Sequence, residues 1–217
     1  MQMNELAELI KSRRSVRLWQ NKAVPEELLL QAIELASYAP NAGNQQNWRF
    51  YIILKPEIIK SIADAVQSTS ALMASWPEAA QFGNKITAMF KKPTFLYSTP
   101  ALIAVTTSQY RSAVDQLLEL HGKIDPQALQ MREWRNSAYS KIQSVASGVA
   151  YLLLILHQMG LGAVWMTGPM QAKGEIERIL KVPAEMDLAA FIPVGYPAEN
   201  PPLLARKPVK EVCEVIK

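Results

Sequence analysis

Five consecutive residues, Arg13-Arg14-Ser15-Val16-Arg17, set three guanidinium groups and a hydroxyl on one short stretch. Each guanidinium is permanently charged and presents a planar fork of donors that matches a pair of phosphate oxygens, and the hydroxyl adds a further short hydrogen bond. The chemistry such a set can do is to cradle an anion. A basic run of this length is equally a solvated face, so its meaning depends on what else the chain supplies. Downstream, Pro40-Asn41-Ala42-Gly43-Asn44-Gln45-Gln46-Asn47 is a run of amides around one glycine. Amides both donate and accept, which suits a heterocycle whose edge alternates donors and acceptors, as a flavin or a purine does. The plainer reading of the same residues is an Asx-rich turn.

Several other chemistries lack their residues. Gly160-Leu161-Gly162 is followed by Ala163-Val164-Trp165, so the third glycine of a dinucleotide fingerprint is missing, and the order is helix then strand. The two histidines are His121 and His157; the latter directly follows an apolar run and reads as packing or interface. No constellation for serine hydrolysis or for a metal site is present. The one cysteine, Cys213, excludes a disulfide framework and points to a reducing compartment.

The chain has 217 residues, of which 49% are hydrophobic and 19% charged, with a net charge of +4. That is enough for one compact domain over residues 1–217. The low charged fraction suggests that part of the surface is covered, most simply by a second copy. The mild basic excess suits phosphate-bearing ligands and is too small to imply nucleic acid. The N-terminus lacks the pattern of a secretory leader, and the longest apolar run, Val149 to Leu156, is too short to span a bilayer. The expectation is a cytoplasmic protein without a membrane segment.

These groups need elements to hold them. Asn4 caps a first helix that ends near Lys11 and delivers the arginine run as a turn. Pro25 opens a second helix with a stripe of Leu28, Leu29, Ala32, Ile33, Leu35 and Ala36, stopped by Pro40. The amide run then leads into a buried strand, Trp48 to Leu54. Residues 56–92 read as irregular helix, Ala101 to Thr106 as a second strand, and 108–136 as a polar helical excursion or lid. The longest element runs from Asn136 or Ser137 to Met159, with Ala146, Ser147, Gly148 and Ala150 offering small side chains for close approach. Gly160 ends it, Leu161 to Thr167 continues as a third strand, a helix spans Lys173 to Leu180, and Leu188 to Tyr196 is a fourth strand. Residues 197–217 form a stiff, proline-rich arm suited to wrapping a neighbouring subunit.

With the arginine run, Ala39 to Phe50, Gly160 to Trp165, and Ile192 to Pro197 ending in Arg206-Lys207-Pro208 in view, the chain resembles the nitroreductase family of flavin mononucleotide (FMN) enzymes. The likeness covers both ends and the last third, in the family's order. It implies an α+β fold with a central mixed β-sheet flanked by helices, in an intertwined homodimer holding two FMN molecules at the interface. By position, Arg13, Arg14, Ser15 and Arg17 look like the phosphate and ribityl contacts, with Arg206 completing the phosphate site. Pro40, Asn41, Asn44 and Gln46 look like the loop given to the flavin across the dimer. Trp165, Met166, Thr167 and Gly168 look like the strand end along the ring, with Gln143 a further candidate. Asn47 departs from the family, which often has proline there, and Leu204 stands where some members have a second basic residue. The activity implied is ping-pong transfer from NAD(P)H through FMN to a nitroaromatic, quinone or similar small-molecule electron acceptor, with no side-chain acid or base required. Read without the resemblance, the same residues leave open a flavin-storing or flavin-sensing dimer, or a protein binding another phosphate ligand.

Overall fold

A computed structural model describes residues 3–217, the side chains of 85–87 and 91 excepted. Helix α1 (Met3–Ser12) already includes Asn4, which therefore lies inside the first turn and does not cap it. Pro25 precedes α2 (Glu26–Ala36) as its N-cap, and the helix stops at Ser37, before Pro40 is reached. Strand β1 (Trp48–Ile53) follows the amide run. The irregular region becomes α3 (Pro56–Ser75) and α4 (Gly83–Lys91), separated by a short 3-10 segment that starts at Pro77.

Strand β2 (Ala101–Ser108) is buried along almost its whole length, as a central strand covered on both faces must be. The excursion is a hairpin of α5 (Ala113–His121) and α6 (Pro126–Ser137), entered through a capping box between Ser112 and Asp115. Helix α7 (Ser140–Gln158) starts later than its apolar periodicity suggests, because Tyr139 sits in the left-handed region at φ 50° and breaks the path from α6. Strand β3 (Gly162–Ala163), helix α8 (Lys173–Leu180) and strand β4 (Met186–Gly195) complete the elements that matter here.

The strand order is β1-β2-β4-β3, antiparallel at each step. The parallel component of the expected mixed sheet is one bridge, between Ser15 and Ala163. Side chains alternate across the sheet. Ile103, Val105, Ile192 and Val194 pack on α2 and α7, while Leu102, Ala104 and Phe191 pack on α3 and α8. The stretch Pro126–Gln158 contains a window long and apolar enough to cross a membrane by length and composition. Its apolar part is α7, whose Val145, Val149, Leu152, Leu153 and Leu156 belong to this core.

Candidate active site

The arginine turn is anchored through its backbone N–H groups by residues far along the chain. Val16 N donates to Ala163 O at 3.1 Å, next to the Ser15–Ala163 bridge. That approach requires Gly162, since a Cβ there would lie 2.8 Å from Val16 Cγ1. Trp19 Nε1 donates to Gly162 O at 2.8 Å, and the Glu199 carboxylate accepts from the backbone of Arg17 and Leu18. The glycine pair after α7 is thus a helix stop followed by a docking surface. Gly160, at φ 75°, ends the helix, and Gly162 admits the turn.

The guanidinium groups rest on backbone carbonyls. Arg13 Nη1 donates to Arg14 O at 3.0 Å, Arg14 Nη1 to Lys11 O at 2.6 Å and Arg13 O at 2.9 Å, and Arg17 Nη1 to Ser15 O at 3.3 Å. Among the described residues no carboxylate forms an ion pair with them. Burial, and after it the charges of Arg206 and Arg14, push the half-buried Arg13 guanidinium below its ordinary pKa. Arg206, on the arm, is near enough for its charge to act on Arg13. His157, whose Nε2 is 2.9 Å from Ser12 Oγ, is pushed below its usual value by burial and then by Arg13 and Arg14. Cations gathered without an ion-paired carboxylate suit an anionic ligand. Of the sequence candidates, Arg13, Arg14, Ser15 and Arg206 come together, and Arg17 lies at the exposed end of the turn.

From Ala163 the chain runs along this site, though not as the long strand expected. Met166 makes a single two-bond bridge to Phe191 (2.8 and 3.0 Å), and Gly168-Pro169 turns at once into a 3-10 segment, so regular pairing stops at Ala163. Trp165, Thr167 and Gly168 are exposed. Among the described residues the backbone N–H groups of Thr167 and Gly168 have no acceptor.

The amide loop is a strained and heavily pinned turn. Gly43, Asn44 and Gln46 all have positive φ (59°, 50° and 45°), two of them without the freedom of glycine. Asn41 Oδ1 accepts from Gln46 N at 2.9 Å, and Ala42 N donates to the buried Ser144 Oγ at 3.2 Å. Asn47, the departure from the family's proline, donates its buried amide to Ser108 O (2.8 Å) and Thr107 Oγ1 (3.2 Å), fastening the loop to β2. Gln45 clamps the peptide of Arg111, and Gln143 donates to Ala138 O at the start of α7. The exposed side chains of Pro40, Asn44 and Gln46 are left facing outward.

The loop touches α7 at Ser144, whereas the arginine turn touches it at His157. Thirteen residues of helix separate these points, about 20 Å at the usual helical rise. Within one chain the two half-sites therefore stand at opposite ends of α7.

The profile of the Nitroreductase family matches residues 10–196. The chain belongs to the nitroreductase family. As a nitroreductase-family enzyme it carries the family's flavoprotein fold, with the sheet and helices described above. An iodotyrosine deiodinase of Thermotoga neapolitana is 27% identical over 95% of the chain and 96% of that protein. A putative NADH dehydrogenase/NAD(P)H nitroreductase of Methanothermobacter thermautotrophicus is 30% identical over 91% and 80%. Among solved structures, a BluB-like flavoprotein from Clostridium difficile 630 aligns with a TM-score of 0.83 and 28% identity, covering 98% of this chain and 99% of that one. Oxidised iodotyrosine deiodinase bound to FMN and 3-iodo-L-tyrosine aligns with a TM-score of 0.69 and 27% identity over 98% and 97%.

Sequence reasoning missed Glu199, Ser144 and Arg111, which hold or adjoin the arginine turn and the amide loop. Glu199 and Ser144 act on backbone N–H groups across 182 and 102 residues, and nothing local marks either. The signal for Arg111 was the Gln45 amide, whose partner lies 66 residues away.

Proposed function

We propose that this protein is an FMN-dependent oxidoreductase that takes hydride from NAD(P)H and reduces a small aromatic or quinone-like acceptor. The observation that carries the reading is the convergence of Arg13, Arg14 and Arg206 without a paired carboxylate. These residues fit a phosphate monoester, a dianion that would relieve their mutual repulsion. Arg13 and Arg14 would hold the phosphate, Arg206 would close over it from the arm, and Thr167 and Gly168 would offer peptide N–H donors to the ring edge. When bound, FMN supplies the two-electron chemistry, and one open slot serves donor and acceptor in turn. The chain's own task is to orient, to exclude water and to hold positive charge beside the reduced ring.

The amide loop completes the site only if it comes from a second copy, so the active form is a homodimer. Leu30 and Leu35 on α2, Tyr38 just beyond it and Tyr151 on α7 are exposed, as are Leu203, Leu204, Val209, Val212, Val215 and Ile216 of the arm. Such apolar faces ask for cover.

The deiodinase relatives favour a second reading of the acceptor. An iodinated phenol, whose carbon–iodine bond is replaced by carbon–hydrogen with release of iodide, consumes the same two electrons and a proton. The test begins with denaturation and identification of the released small molecule, expected to be FMN near one per chain. The enzyme reduced anaerobically by NADH or NADPH is then reoxidised with a nitroaromatic, a quinone and 3-iodotyrosine in parallel. No flavin, even after incubation with excess FMN, rules the proposal out. Bound FMN that neither nicotinamide reduces leaves the storage or sensing reading.

A further inference from the structure

The α5–α6 hairpin and the start of α7 enclose a cleft of about 490 Å³, a volume suited to a molecule of one or two rings. Two aromatic residues line it, Tyr110 and the strained Tyr139. Its charges are nearly all accounted for. Arg135 pairs with Asp115 at 2.7 Å, Arg132 with Glu119 at 3.6 Å, and Lys141 with Asp187 at 2.8 Å. Arg111 is the exception: among the described residues its guanidinium has no acidic partner.

The position of Arg111 is not left to a mobile side chain alone. Gln45 holds its peptide from both sides, donating from Nε2 to Arg111 O at 2.6 Å and accepting from Arg111 N at Oε1 at 3.4 Å. The clamp comes from the amide loop itself, so this cation stands at the rim of whatever the loop borders. We propose that this cleft selects the acceptor, taking an aromatic molecule that bears a carboxylate, and that Arg111 holds the carboxylate. The proposal rests on the reading that the Pro40–Gln46 loop borders the flavin.

The chemistry explains the division of labour. An aromatic ring packed on a tyrosine gains contact area with either a neutral or an anionic substituent, whereas a guanidinium fork distinguishes the two. Carboxylate and guanidinium would form a charge-assisted pair at a partly exposed site, worth about tenfold in affinity over a neutral amide.

The test uses the holoenzyme. Flavin content is measured first, because absence of FMN overturns both this proposal and the functional reading beneath it. Oxidised protein is then titrated with 4-nitrobenzoate and 4-nitrobenzamide, following the change in visible flavin absorbance, and KM is measured for both. The expected result is a preference of about tenfold for the carboxylate. Arg111→Gln should equalise the two by weakening 4-nitrobenzoate alone, with flavin content and melting temperature unchanged, and Arg111→Lys should restore part of the preference. A flavin-loaded protein that binds neither compound, shows no preference, or keeps its preference in Arg111→Gln overturns the proposal and leaves the FMN assignment standing.

Discussion

Replacing Arg13 with Gln should separate two effects that usually travel together. Arg13 is half-buried, and the charges of Arg206 and Arg14 act against its own. Among the described residues its guanidinium makes one hydrogen bond, to Arg14 O at 3.0 Å. Removing the charge therefore relieves repulsion, and the free protein should be as stable as the parent or slightly more so. With FMN bound the sign reverses. A charge-assisted hydrogen bond to phosphate is worth about 1.5–3 kcal/mol, and Arg14 and Arg206 remain to share the load. A rise in Kd of roughly ten- to a hundredfold follows. The assay is a fluorescence titration of flavin-free protein with FMN and, in parallel, with riboflavin, which lacks the phosphate. The variant should weaken FMN and leave riboflavin unchanged, and the affinity for FMN should lose part of its salt dependence. Equal weakening of FMN and riboflavin would mean that Arg13 shapes the ring site and not a phosphate site. A fall in the melting temperature of the flavin-free variant would refute the repulsion argument itself.

Other expectations follow from particular contacts. Asp187 bridges Lys141 and Lys173, which hold its carboxyl down at about 2. Its folded pKa is depressed, so its contribution to stability is present above the unfolded value and disappears as pH falls through the range from about 4 to about 2. Because the side chain is half exposed, Asp187→Asn should cost only about 1 kcal/mol at neutral pH in denaturant titrations, and nothing at the acid end of that range. Gly162→Ala would place a methyl 2.8 Å from Val16 Cγ1. It should destabilise by about 1–3 kcal/mol and weaken FMN binding by displacing the turn, with partial rescue by Val16→Ala, read by thermal melts and titration. Asn47→Ala leaves Ser108 O without its side-chain donor and should cost about 1–2 kcal/mol in chemical denaturation, with a looser amide loop. Removing residues 207–217 should shift the protein toward monomer in sedimentation while leaving its helical signal nearly intact, since the arm is exposed along the chain's own surface.

How much of this was legible in the sequence depends on the distance over which each signal acts. The periodicity of α2, α8 and β2 is local and sets the elements almost to the residue, because each buries one face or both against the sheet. The strand expected from Leu161 to Thr167 fails for a non-local reason. Its apolar run is real, yet beyond Ala163 the chain reaches β4 through one long bond from Val164 N to Pro193 O and the bridge at Met166, and Trp165 turns outward. Tyr139 misleads in the opposite way: apolar spacing carries on smoothly into α7, and only the left-handed φ shows that the helix restarts.

The arginine turn was legible because like charges in five adjacent residues need no fold to be noticed, while the reason it holds its shape was not. That reason lies in Ala163 and Glu199, which hold N–H groups of the turn from far along the chain, and in Gly162, which leaves room for Val16. The amide loop shows the same division. Its composition announces polar recognition, but Asn41, Gln45 and Asn47 are engaged in holding the loop and its neighbour Arg111, and Asn44 and Gln46 are the amides left to face a ligand. A run of similar residues thus splits into fasteners and contacts. The split follows from which backbone groups the fold leaves unsatisfied, which sequence composition does not encode.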